Sequence, residues 1–133
     1  MRQSSRTISA AQGKLRAVAG DHFITLPMKV IKANVATVLD SDNILKAGTL
    51  ITVDGKAVTT VTGTPATTNA YGVVYEDISF KDSQSIDGVA ANATEVVSVF
   101  VHGVLYENEV KFSTLIANGA VAEKAALKQI LFI

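Results

Sequence analysis

Two histidines, His22 and His102, are the only imidazoles in this chain of 133 residues, and no cysteine accompanies them. Nucleophilic catalysis needs a hydroxyl or thiol beside an imidazole and a carboxylate behind it. His102 has Glu107 and Glu109 downstream, but no nucleophile-elbow spacing surrounds it, and it stands inside a β-rich run. A surface histidine, or one satisfied within a sheet, is the expectation. The two could share a zinc ion only through tertiary proximity. Carboxylates pair at Glu76 and Asp77, and at Glu107 and Glu109. On a strand, the period of two puts Glu107 and Glu109 on one face, the arrangement a glycosidase pair would use. With no Trp and 6% aromatic residues there is little to hold a sugar ring.

The run Asp40-Ser41-Asp42-Asn43 starts like a calcium loop, which needs an oxygen ligand at position five, Gly at six and Glu at twelve. Those positions hold Ile44, Leu45 and Ile51, so a turn is predicted instead. Neither of the glycine-rich phosphate motifs occurs. Pro27-Met28-Lys29-Val30 faintly resembles the lysine tetrapeptide of biotin-accepting domains, but its flanks do not form a hairpin, and an ordinary strand-edge lysine is the better reading. The Asn92-Ala93-Thr94 sequon carries no weight, as no signal peptide is read. The expectation is a non-enzyme with no catalytic, metal or cofactor-binding residues, and no cofactor.

In the chain as a whole, 48% of residues are hydrophobic, with 17 Val, 13 Thr and 18 Ala. Val and Thr are stiff at χ1 and suit pleated, half-buried surfaces. A chain this long builds one domain and buries about two-thirds of its unfolded surface. No apolar run reaches the ~18 residues of a membrane span, and the start leads into no apolar signal segment, so no membrane partner is expected and synthesis in the cytoplasm is.

The net charge is zero, yet it is unevenly spread. Residues 1–32 carry six cations against Asp21, and residues 33–133 carry six against eleven acids. Residues 1–20 read as a flexible arm holding Arg2, Arg6, Lys14 and Arg16, and residues 21–133 as a single β-rich domain. A solvated tail is the plain reading of the arm. A segment that docks on an acidic protein surface is the sharper one. Four cations over sixteen residues are sparse for phosphate, so direct nucleic-acid binding is not expected.

Strands are predicted at 22–26, stopped by Pro27, and over 30–39, with turns at 40–43 and 46–48. Asp54-Gly55 is a strong hairpin signal, joining strands at 49–53 and 57–62. Residues 63–69 read as a loop and 70–75 as a strand buried on both faces. In the polar stretch 76–94 only Ile78 and Phe80 look strand-like. The longest β signature is 95–106, with a bulge or bend at Gly103. Ala, Glu, Lys and Leu predict a short helix near 120–128. The apolar end Leu131-Phe132-Ile133 should complete a sheet or bury against another subunit. The fold class expected is mainly β, a small sandwich or barrel-like domain with a short C-terminal helix.

Several pieces recur in a telling order: Leu45-Lys46-Ala47-Gly48-Thr49-Leu50, Asp54-Gly55-Lys56, Ala70-Tyr71-Gly72-Val73-Val74-Tyr75-Glu76-Asp77, Val99-Phe100-Val101-His102-Gly103-Val104, and the end from Ala125 to Ile133. Over about two-thirds of the chain this order resembles the head decoration, or capsid-stabilising, proteins of tailed bacteriophages, the lambda-like group. The resemblance implies a β-tulip-type body and a structural virion protein on the outer capsid surface. It also implies a homotrimer, and an arm that orders on the major capsid protein. Arg2, Arg6, Lys14 and Arg16 would then contact the capsid, and Leu131, Phe132 and Ile133 would serve self-association. The arm lacks the Pro-rich character common in that group, and the 76–94 segment is longer. Another virion part, such as a head-fibre base or tail-tube domain, is the first alternative. A small-ligand or sugar-binding β-barrel is the second, and a small hydrolase ranks last. Convergent polar groups in a pocket would favour ligand binding, and an apolar patch at the C-terminus would favour assembly.

Overall fold

The computed structural model describes residues 23–81 and 83–133. The arm read over 1–20, with Arg2, Arg6, Lys14 and Arg16, lies outside the described residues, as does His22. The described chain is mainly β, as its Val and Thr content predicts.

The central sheet is organised around one long strand, β8 (Thr94–Leu105). Its partners are β1 (Ile24–Ile31) and β6 (Gly72–Val74), both antiparallel, and β9 (Ile130–Phe132), parallel. β3 (Leu50–Ile51) extends the sheet from β6, giving the order β1-β8-β6-β3. Two small antiparallel pairs flank it: β2 (Ile44–Leu45) with the sequence-distant β7 (Ile78–Ser79), and the hairpin of β4 (Thr60–Val61) with β5 (Thr67–Thr68). One helix, α1 (Gly119–Ala126), packs on β4 and β5.

β1 corrects the expectation that Pro27 stops a strand, since it runs through Pro27. Ser98, opposite Pro27, turns its carbonyl to the N–H of Tyr75, the residue that follows β6. The pair Pro27–Ser98 is therefore the non-hydrogen-bonded kind, and the missing proline N–H faces the side of β1 that pairs with no described strand. The strand expected over 30–39 is also corrected. Val30 and Ile31 end β1, and Lys32–Val38 coil as a 3-10 helix that buries Val35. Val35 and Val38 stand three apart, the spacing that falls on one side of such a helix, and both pack on the same core.

The Asp54-Gly55 turn forms, but the hairpin it predicts does not continue. Gly55 takes φ +75° and its N–H donates to the Thr52 carbonyl. The ladder then lasts for the single bridge Ile51–Ala57. Ala57 N–H donates instead to Asn34 of the 3-10 helix, which draws the returning chain away. Thr60 and Val61 pair with Thr67 and Thr68, residues read as loop. The bulge expected at Gly103 falls at Val101, the extra residue between the pairs Ile24–His102 and Thr25–Phe100. Gly103, at φ +138°, turns its N–H to Gln129, where β8 passes from β1 to β9.

Alternation along these strands builds two cores, one on each face. Leu50, Val73, Phe100 and Leu105 point to one face, with Leu127 and Ile130 over them. Ile51, Val74, Val97 and Val99 point to the other, with Val35, Leu45 and Phe80 over them. Residues 72–74 are buried throughout, as the strand 70–75 predicted. On the first face the rings of Phe23, Tyr75 and Phe100 stack at 5.7–6.0 Å between centroids.

Candidate functional site

Two features stand out once the elements are in place: an outward apolar face at the C-terminal strand pair, and a cavity beside α1.

In the parallel pair, Gly103, Val104 and Leu105 lie beside Ile130, Leu131 and Phe132. Leu105 and Ile130 enter the core, so the period of two turns Val104 and Leu131 outward. Tyr106 continues extended (φ −74°, ψ 121°), and Ile133 is tied to it by two hydrogen bonds, Ile133 N–H to Leu105 and Glu107 N–H to Ile133. Leu131 and Ile133 are 62% and 61% exposed, and Tyr106 is exposed beside them. Phe132, between them, turns inward to meet Phe112 edge-on at 5.1 Å. The C-terminal tripeptide thus completes a sheet, as predicted, and leaves two of its three side chains outside.

The cavity holds about 330 Å³ and is walled by Val38, Leu50, Val58 and Ile116, with Thr49, Lys111 and Glu123 at its polar side. Glu123 comes from α1 and is only 3% exposed. Its Oε2 accepts from the Thr60 hydroxyl at 2.5 Å, and its Oε1 from the Ser113 N–H at 2.7 Å. Thr60 spends its one proton on the carboxylate, so the Thr60–Thr68 contact (2.8 Å) must be donated by Thr68. Thr68 accepts in turn from Ala70 N–H. The chain of donors therefore runs one way and ends on Glu123. No described Lys, Arg or His forms an ion pair with it. Its helix neighbour Lys124 pairs with Glu107 and lies over the Phe112 ring. Thr49 lines the same cavity, and its hydroxyl is buried and has no hydrogen-bond partner.

Glu123 is missing from the sequence reading, where it counted only as a helix former. One signal could have found it: Gly119 and Glu123, the buried positions of α1, and Leu127 just past its end recur every four residues.

The other sequence candidates are scattered. His102 is exposed near the end of β8, opposite Ile24. Glu107 and Glu109 do not share a strand face, because Glu107–Glu109 form a 3-10 turn. Lys29 sits within β1 rather than at a hairpin tip, its side chain exposed. The Asp40 run is the predicted turn. Asp40 Oδ1 accepts from the N–H groups of Asp42 and Ile44, both at 2.9 Å. Those bonds, the Ile44 N–H first, outweigh desolvation and hold its carboxyl below the usual range, with Lys46 adding to the effect. Lys46 lies 3.7 Å from Asp40 and 3.9 Å from Asp77, and Asp77 accepts from Ala47 N–H at 2.7 Å. The Lys46-Ala47 turn and the Glu76-Asp77 pair, two separate pieces of the recurring order, thus meet in space. Among the described residues no group of three His, Asp or Glu side chains is placed to hold a metal ion, and no helix is long and apolar enough to cross a membrane. Comparison with protein-family models, curated proteins and solved structures finds no match to the chain.

Proposed function

We propose that this chain is a structural virion protein that binds the outside of a phage capsid, stabilises the shell and self-associates as a trimer. The observation that carries the reading is the outward face of the C-terminal strand pair, the exposed Tyr106, Leu131 and Ile133 with the half-buried Val104. Exposed apolar side chains clustered on a rigid strand pair are what a self-contact needs. A decorating subunit requires no chemistry. It requires a stiff β body, a self-contact and a second surface for the shell, and many copies multiply a modest affinity per site. The basic residues Arg2, Arg6, Lys14 and Arg16 supply that second surface by attraction to an acidic patch on the major capsid protein.

Light scattering of the full chain tests the self-contact, and co-sedimentation with undecorated capsids tests the partner. The expected mass is three times the 14.0-kDa chain. Leu131→Glu should leave the fold intact and give a monomer, because Leu131 makes no core contact. A monomeric parent chain that also fails to sediment with capsids overturns the proposal. A trimer that ignores capsids favours another virion component.

A further inference from the structure

We propose that the cavity beside α1 is a binding site for a small molecule carrying a primary ammonium group on a short aliphatic body. This inference is independent of the decoration reading, since it rests on the interior of one subunit.

The first observation is a buried carboxylate that no cation among the described residues pairs with. Glu123 is almost wholly buried, and two hydrogen-bond donors satisfy part of its capacity. A buried carboxylate is normally matched by a cation, because hydrogen bonds alone only partly replace lost hydration. Each carboxylate oxygen has a second lone pair free to accept. The second observation is independent of the first. Thr49 is 5% exposed, lines the same cavity, and its hydroxyl oxygen has no partner. Buried hydroxyls are rarely left so. A buried acid and an orphan hydroxyl, both on residues that line this cavity, ask for a group with several donors and a positive charge. An ammonium group has three donors and no acceptor.

The remaining walls define the rest of the ligand. Val38, Leu50, Val58 and Ile116 are aliphatic and fit a short alkyl chain. The volume of about 330 Å³ is at the small end of ligand pockets. A metal ion is a poor occupant, because Glu123 is the only carboxylate among the described residues that line the cavity. An anion would meet the Glu123 charge directly, while the exposed Lys111 can turn its flexible head to water at the rim.

The test uses the full chain and three probes of equal length: n-butylammonium, 1-butanol and butyrate. Binding is followed through the amide resonances of Ser113 and Thr60 during titration. The expected result is saturable shifts with n-butylammonium, binding by 1-butanol at least about tenfold weaker, and none by butyrate. Glu123→Gln, nearly isosteric, should erase the preference for ammonium over alcohol. Thr49→Val should leave the melting temperature unchanged or raised, since the hydroxyl makes no bond, yet weaken n-butylammonium severalfold. Should Glu123→Gln fail to fold, Thr49→Val and the probe series still decide. Absence of saturable shifts with n-butylammonium overturns the proposal. So does equal binding of 1-butanol, or an ammonium preference that survives in Glu123→Gln.

Discussion

The two faces of the central sheet are closed by different means, and their polar groups fare differently as a result. Over Val74, Val97 and Val99 the 3-10 helix and the β2–β7 pair bring Val35, Leu45 and Phe80, all essentially inaccessible. The acids there stay at the rim, where Asp40 and Asp77 have backbone N–H donors and share Lys46. Over Val73 and Phe100 the cover is α1, β9 and a stack of rings. That cover leaves a cavity, and the acid on its wall, Glu123, is buried with no ion pair to any cation among the described residues. A carboxylate at a rim works as a staple for a turn. One on an incompletely filled face keeps capacity to bind something else.

Substitutions can break this contrast at several scales. The largest effect is expected from the rings. Phe100→Ala and Phe80→Ala should each cost about 3–5 kcal/mol in chemical denaturation. They should differ in reach: Phe100 supports the Phe23 and Tyr75 stack, so its loss should also raise hydrogen exchange in α1 and β9, whereas loss of Phe80 should act on β2 and β7. Next comes Glu123→Ala, which orphans the Ser113 N–H and the Thr60 hydroxyl, at about 1–3 kcal/mol for each donor left buried. Its counterpart at the rim, Asp77→Ala, should cost about 0.5–1.5 kcal/mol, because water can reach the Ala47 N–H it abandons. A wide gap between these two acids in parallel unfolding curves is the outcome that sustains the contrast; equal costs would remove it.

The smallest effect is a pH response in the loop before β8. Hydrogen bonds from Ser85, Val89 N–H and Asn92 pull the Asp87 carboxyl from the ordinary 3.8 to about 2. Titrating lower when folded, Asp87 supports the loop fully above about pH 4, and that support fades as pH falls through about 2. Exchange of the Val89 amide should quicken over that interval, and Asp87→Asn should flatten the response. An unchanged pH profile in Asp87→Asn would assign the loosening to other acids.

Local chemistry made much of the fold legible in the chain itself. The β-branched run of β8 is a strand by its own steric preference, and Ala, Glu and Lys place α1 within a residue or two. The Asp40 turn and the positive φ of Gly55 follow from side chains and glycine that act over a few bonds. The apolar end could be expected to join a sheet, because leaving it wholly in water is unfavourable. Partnership was a different matter. Thr49, Leu50 and Ile51 looked bound to the chain just beyond Asp54-Gly55, yet β3 pairs with β6, because burying Leu50 and Ile51 on opposite faces requires a partner buried on both, and Val73 and Val74 provide it. The cavity is more remote still from any local rule. Thr49, Thr60, Ser113 and Glu123 come from four segments up to 74 positions apart, and no periodicity links them. Short-range sterics and hydrogen bonding decide what each segment can be; only the packing of layers decides which faces are filled, which acid is buried, and where space is left beside it.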